Sequence, residues 1–183
     1  MQGSTLRRFL AFSCSSLLLA SCAQHSTTSP YSYSGYSPST DYAARIPQTI
    51  DTKGEKVVVV DPRAHVWGAY NPDGSLVRAG LATAGGDWCA DTGRSCRTGV
   101  GSFRIYSLGD GECISKIYPL PEGGGLMPYC MFFNNGEALH GSPEGTVIED
   151  NVSHGCVRMH IPDAEWLRYN FVEIGTRVIV RSY

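Results

Sequence analysis

Several things are scarce in this 183-residue chain, and each scarcity excludes a class of protein. There is no run of Lys and Arg that could track a phosphate backbone, and the formal net charge is only −2, so nucleic-acid binding is excluded as a working reading. The apolar stretch from Phe9 to Ala20 is too short to cross a bilayer as a permanent helix. Aliphatic residues are almost missing from Gln24 to about Ala44, where Ser, Thr, Tyr and Pro dominate. Such a stretch cannot bury enough apolar surface to offset the entropy of ordering it. Internal repeats are absent, as is any alternation of strand and helix patterns, which removes solenoids and doubly wound parallel sheets.

What is present begins with an export signal: Arg7 and Arg8 precede the short apolar stretch. Its end, Leu19-Ala20-Ser21-Cys22, resembles the lipobox of bacterial lipoproteins, in which the cysteine is acylated and becomes the new N-terminus. An ordinary cleavable signal is the alternative. Two or more acyl chains on Cys22 would anchor the protein stably to a membrane without spanning it. The expected organisation is therefore a lipoprotein signal over residues 1–21, a lipidated flexible tether over 22–45, and one folded domain over 46–183. A flexible tether of this kind spans on the order of 25 Å. Its tyrosines, Tyr31, Tyr33, Tyr36 and Tyr42, have no scaffold on which to form a binding patch. Loss of Arg7 and Arg8 with the signal leaves 13 basic against 17 acidic residues, a net charge of −4. The expected location is the periplasmic face of a membrane. Ala23, in place of the aspartate associated with inner-membrane retention, favours the outer membrane where a cell has two.

The domain reads as mostly β, with mixed sheets of short strands arranged as a sandwich and one or two short helices. Lys56 to Val60 is a valine run closed by Asp61-Pro62. His65 to Trp67, the turn Asn71-Pro72-Asp73-Gly74 and the apolar run from Leu76 to Thr83 form a hairpin. Phe103 to Leu108, Cys130 to Phe133, Glu137 to His140 and Arg177 to Arg181 are further strand candidates. One helix is well marked: Pro162-Asp163 starts it, Ala164, Leu167 and Phe171 share a face, and Gly175 ends it.

Of the seven cysteines, Cys14 lies in the signal and Cys22 at the lipobox, which leaves an odd five in the domain. An exported domain tends to pair its cysteines. The natural proposal is Cys89 with Cys96 and Cys113 with Cys130, leaving Cys156 free; other pairings are possible, and the sequence does not rank them beyond loop length.

Reactive groups concentrate between Leu139 and Met159. A cysteine attacks carbonyls as the thiolate, which is scarce at neutral pH without an imidazole in reach. His140, at a strand end across a loop from Cys156, and His154, two residues before it, both qualify, and spacing does not choose between them. Gly155 lets a carbonyl approach the backbone and lets neighbouring amides converge as an oxyanion hole. Arg158, on the same alternating face as Cys156, could hold a substrate carboxylate or lock the loop. Two blander readings compete: an inert buried thiol, and a zinc site from Cys156, His154, His160 and His140. The second set has no recognised ligand spacing.

His140-Gly141, a gap of about a dozen residues, and Ser153-His154-Gly155-Cys156-Val157-Arg158 together resemble the signature of the L,D-transpeptidases with a YkuD-type catalytic domain. The resemblance extends to Met127-Pro128-Tyr129 and to Gly175-Thr176-Arg177-Val178, covering about Lys56 to Arg181. It implies that Cys156 is the nucleophile, that His140 is the base, oriented by a carbonyl near Gly141, and that the amides from His154 to Cys156 form the oxyanion hole. Tyr129, Arg158, Ser153 and Gly141 would then face substrate.

The activity implied is cross-linking of peptidoglycan stem peptides, as donor and acceptor, through a Cys156 thioester, without metal or cofactor. Attachment of a protein to the wall, L,D-carboxypeptidase action on the same site, and a non-catalytic wall-binding or surface-interaction lipoprotein are the alternatives. Thr98-Gly99-Val100-Gly101 departs from the family's Thr-Pro-x-Gly, and the candidate disulfides and Gly123-Gly124-Gly125 are additions that bear on substrate access.

Overall fold

Four consecutive valines, Val57 to Val60, can sit in one strand only if both faces of that strand are covered, and this is how the chain uses them. The computed structural model describes residues 40–183. The expected signal, the Cys22 lipidation site and the tether tyrosines Tyr31, Tyr33 and Tyr36 lie outside the described residues. Strand β1 (Val57–Asp61) is central in a five-stranded sheet with β2 (Val66–Tyr70), β3 (Leu76–Leu81), β4 (Gly101–Arg104) and β9 (Arg177–Val180), in the order β3-β2-β1-β9-β4. Val58 and Val60 face the main core with Trp67, Met131, Leu139, Met159 and Leu167. Val57 and Val59 face a second core, closed by Tyr42, Ile46 and Tyr70. Tyr42, assigned from sequence to the tether, is thus a packed residue, and a short 3-10 turn over Tyr42–Arg45 carries it onto the outer face.

A second sheet, β5-β6-β7-β8, comprises β5 (Ser107–Leu108), β6 (Met131–Asn134), β7 (Glu137–Ser142) and β8 (Val157–His160). The stretch expected as one strand from Phe103 to Leu108 is divided between the sheets. Ile105, 1% exposed, is driven into the core, and the chain changes partner there: Ile105 N–H donates to Thr176 O and Tyr106 N–H to Phe132 O. The helix starts as expected. Its regular part, α1 (Ile161–Trp166), gives way to a wider turn over Leu167–Phe171 and is finished by Val172, before Gly175. Ala164, Leu167 and Phe171 are all buried, and α1 packs against β7.

Two parallel pairings were not legible from local patterns. Strand β1 pairs with β9, and β7 with β8, the latter in the register Leu139 to Val157, His140 to Arg158 and Ser142 to His160. Parallel neighbours need a crossover, supplied between β7 and β8 by a loop, residues 143–156. That loop ends in the reactive segment. Residues 83–85 run along the other side of β8: Thr83 exchanges two backbone hydrogen bonds with Arg158, and Gly85 bridges Ser153.

Candidate active site

The parallel pair β7–β8 places the reactive groups by period alone. His140 is in register with Arg158, and side chains directly opposed in a sheet share a face. Cys156, two residues before Arg158, shares that face, while Leu139 and Val157 point to the core. Cys156, His140 and Arg158 line one cleft of about 960 Å³, together with Ser142, Glu137, His154 and Tyr118. The disulfides are Cys89–Cys96 and Cys113–Cys130, with Cα separations of 5.9 and 6.1 Å, and Cys156 is the free thiol among the described residues. The Cys113–Cys130 loop forms one wall of the cleft and presents Ile114, Ile117 and Leu126 to solvent.

The Cys156 sulfur is reachable from the cleft, yet the surrounding protein displaces most of its water. Burial pushes its pKa up to about 11. The Ala138 backbone and the Arg158 guanidinium favour the thiolate, and the Glu137 carboxylate opposes it. His140 is 5% exposed, and burial pushes its pKa down to about 4, so the imidazole is neutral at neutral pH. Its Nδ1 lies 2.8 Å from Gly141 O. A carbonyl only accepts, so Nδ1 carries the proton and the Nε2 lone pair is free. This tautomer is the one a general base needs, and the orienting carbonyl is that of Gly141 itself.

His154 belongs to a different arrangement. Its Nε2 bonds both carboxylate oxygens of Asp91, at 2.9 and 2.8 Å, and its ring lies against Tyr118 with centroids 4.4 Å apart. Asp91 comes from the Cys89–Cys96 loop and Tyr118 from the Cys113–Cys130 loop, so both disulfide loops meet on this imidazole. The structure therefore separates the two histidines that sequence spacing left equivalent. Asp91 and Tyr118 carried no motif signal, since their role depends on two loops meeting in space.

Other expected roles change as well. Tyr129, expected to border the cleft, is 1% exposed in the core; its hydroxyl bonds Glu165 and its ring meets Tyr169 edge-on. Its φ of +60° turns the side chain inward while the adjoining Met127 and Cys130 line the cleft. Gly141, expected to face substrate, packs where a Cβ would stand 3.0 Å from Ile161 Cα. It serves through its carbonyl. Ser153, also expected to face substrate, lines the cleft but is 1% exposed, and its hydroxyl is used within the loop: it donates to Cys156 O and accepts the Gly155 N–H at 3.2 Å. The Gly155 amide is consequently not free for an oxyanion.

Gly155 has φ +118°, a conformation that requires glycine. Arg158 is half-buried; its perturbing neighbours are burial and Cys156, with no carboxylate among them. Among the described residues Cys156, His154, His160 and His140 form no ligand cluster. The donors that do gather, Cys89, Cys96 and His154, lie within 4.8 Å, but the two sulfurs are bonded to each other.

The family model for YkuD, the L,D-transpeptidase catalytic domain, matches residues 55–180. Among solved structures, the L,D-transpeptidase (residues 123–326) from Xylanimonas cellulosilytica is 30% identical, with a TM-score of 0.60 over 75% of this chain and 66% of that one. The L,D-transpeptidase from Stackebrandtia nassauensis is 27% identical, with a TM-score of 0.58 over 74% of this chain and 59% of that one. An L,D-transpeptidase from Mycobacterium smegmatis is 26% identical, with a TM-score of 0.57 over 70% of this chain and 59% of that one. The chain thus spans about two thirds or less of the solved relatives' length. A search of curated proteins finds no match. With the family match running from Glu55 to Val180 and the reactive loop inside it, the chain belongs to the YkuD family of L,D-transpeptidase catalytic domains.

Proposed function

We propose that the protein is a peptidoglycan L,D-transpeptidase in which Cys156 is the nucleophile and His140 the general base. The observation that carries this is the pairing of a free thiol with an imidazole whose Nδ1 proton is fixed by Gly141 O, on one face of β7–β8 and in one cleft. Because both groups rest uncharged, proton transfer accompanies attack. Nε2 of His140 takes the thiol proton as sulfur adds to the carbonyl of the third residue of a tetrapeptide stem. The imidazolium then gives that proton to the departing terminal D-amino acid, leaving a thioester. An amine of a second stem attacks the thioester and loses a proton to His140, and the imidazolium returns that proton to the departing Cys156 sulfur as the C–S bond breaks and the cross-link forms. Arg158, a half-buried cation in the cleft, is suited to a stem carboxylate.

Water as acceptor would give an L,D-carboxypeptidase, and a protein lysine would give a wall-attachment ligase. Acylation at Cys22 would hold the domain near a membrane, with the outer membrane favoured by Ala23.

Intact mass spectrometry after mixing with a tetrapeptide muropeptide tests the acyl-enzyme, with Cys156→Ala as control. An adduct of donor minus its last residue, absent in the control, together with cross-linked dimer in solution is the expected result. Adduct with only trimmed tripeptide would point to the carboxypeptidase. A folded, reduced protein giving neither adduct nor product would overturn the enzymatic reading.

A further inference from the structure

The reactive loop is held from behind by a chain of hydrogen bonds, half-buried at Tyr183 and buried at Thr98, that ends on the peptide unit joining Gly155 to Cys156. Tyr183, the last residue, donates its hydroxyl to Gly85 O at 2.8 Å and accepts the Thr98 N–H at 2.9 Å. The Thr98 side-chain hydroxyl, 1% exposed, accepts the Gly85 N–H at 2.9 Å and donates to Gly155 O at 2.8 Å. The polarity is forced. An N–H can only donate and a carbonyl can only accept, so the single hydroxyl proton of Thr98 must point at Gly155 O. At Gly85 the two backbones are so close that a Cβ would stand 1.9 Å from Cys96 O, which leaves this link little room to shift.

A peptide unit is planar and trans, so its C=O and N–H point in opposite directions. Fixing Gly155 O on Thr98 therefore aims the Cys156 N–H away from Thr98. The preceding amide, that of Gly155, is already donated to Ser153 Oγ. We infer that Thr98, backed by Tyr183, is a positioning residue for oxyanion stabilisation, setting the plane of the Gly155–Cys156 peptide so that the Cys156 N–H receives the developing oxyanion. Neither residue lines the cleft, so neither touches substrate. The rest of the loop has its own supports: Ser153 N–H donates to Ala84 O, and Gly86 N–H to Ser153 O. The Thr98 hydroxyl is thus the contact that acts on this one carbonyl.

This inference rests on the acyl-transfer reading of Cys156, and its test uses two reactions of the same sulfur in the full chain. Alkylation by iodoacetamide displaces iodide from a saturated carbon and develops no oxyanion. Acylation by p-nitrophenyl acetate passes through a tetrahedral oxyanion before p-nitrophenolate leaves and the thioester remains.

In Thr98→Val, acylation should slow by roughly 10- to 100-fold, less than or comparable to outright loss of an oxyanion donor. Alkylation should stay within about twofold. Thr98→Ser, which keeps the hydroxyl, should restore acylation, and Tyr183→Phe should slow it by a smaller factor with alkylation again unchanged. With the tetrapeptide muropeptide the loss should fall on kcat and leave KM alone. Equal slowing of both reactions, unchanged acylation in Thr98→Val, or failure of Thr98→Ser to restore it would each overturn the inference. A wild type acylated by the ester but inert to the muropeptide would remove the wall substrate while leaving the positioning role to be judged on the ester. A wild type acylated by neither would remove both.

Discussion

Cys156 and His140 are displaced by burial in opposite senses, the thiol up to about 11 and the imidazole down to about 4, so both rest neutral near pH 7. Reactivity then depends on His140 being able to accept a proton. Below about pH 4 it is already protonated, so acylation should be constant near neutrality and fall as pH drops through about 4. His140→Ala should slow alkylation of Cys156 at pH 7 at least tenfold. Glu137 provides a test of opposite sign. It is half-buried, its carboxyl is raised by burial, and its charge disfavours the thiolate. Its oxygens also accept the Gly99 N–H, at 3.0 and 3.1 Å, and the Asn134 amide. Glu137→Gln keeps an acceptor for those donors and removes the charge, so iodoacetamide should react faster at pH 8 than in wild type. A slower reaction would show that the bracing of Gly99 outweighs the field.

At the scale of elements, the site depends on a loop whose backbone only glycine can follow and on a helix joined to β3 by an ion pair. A side chain at position 155 would have to adopt φ +118° and place its Cβ 3.4 Å from Glu137 Oε1. Gly155→Ala should therefore cost about 1–3 kcal/mol of stability, read by urea unfolding, and should lower acylation more than alkylation. Asp163 sits in the first turn of α1, 3% exposed, and bonds Arg78 at 2.6 Å; Arg78 in turn lies 5.0 Å from the Trp166 ring centre. Removing one partner of a largely buried pair strands the other. Asp163→Ala should destabilise the fold by about 3 kcal/mol, the low end of the usual range because Arg78 is partly exposed.

For the whole molecule, the buried His140 links stability to pH. Its folded pKa of about 4 lies below the ordinary 6.5, so between those values the unfolded chain binds the extra proton and folding loses ground. The contribution is fully present above about 6.5 and is lost as pH falls through about 4, amounting to about 3 kcal/mol in all. Urea midpoints should drop over that window, and His140→Gln should flatten the drop. The Cys113–Cys130 bridge closes a segment with a sequence separation of 17 that forms a cleft wall, and the loop entropy it removes from the unfolded chain is worth about 3 kcal/mol. Mild reduction should lower the thermal midpoint.

Local chemistry in the sequence was sufficient for some of this. The valine run, the Asn71–Gly74 turn, the Pro162-Asp163 helix start, the odd cysteine and the segment from Ser153 to Arg158 all declare themselves through residue type and short spacing. Strand period then put Cys156 and Arg158 on one face. Tertiary structure decided what depends on residues far apart in the chain. It paired β7 with β8 in parallel, which brings His140 beside Cys156, and it gave His154 to Asp91 and Tyr118 from two separate disulfide loops. It also turned Tyr129 into the core and brought Thr98 and Tyr183 behind Gly155. Periodicity and turn preference act over a few residues. Hydrogen-bond direction, burial and the electrostatics that follow from them depend on which distant segments pack together, and the fold alone fixes that.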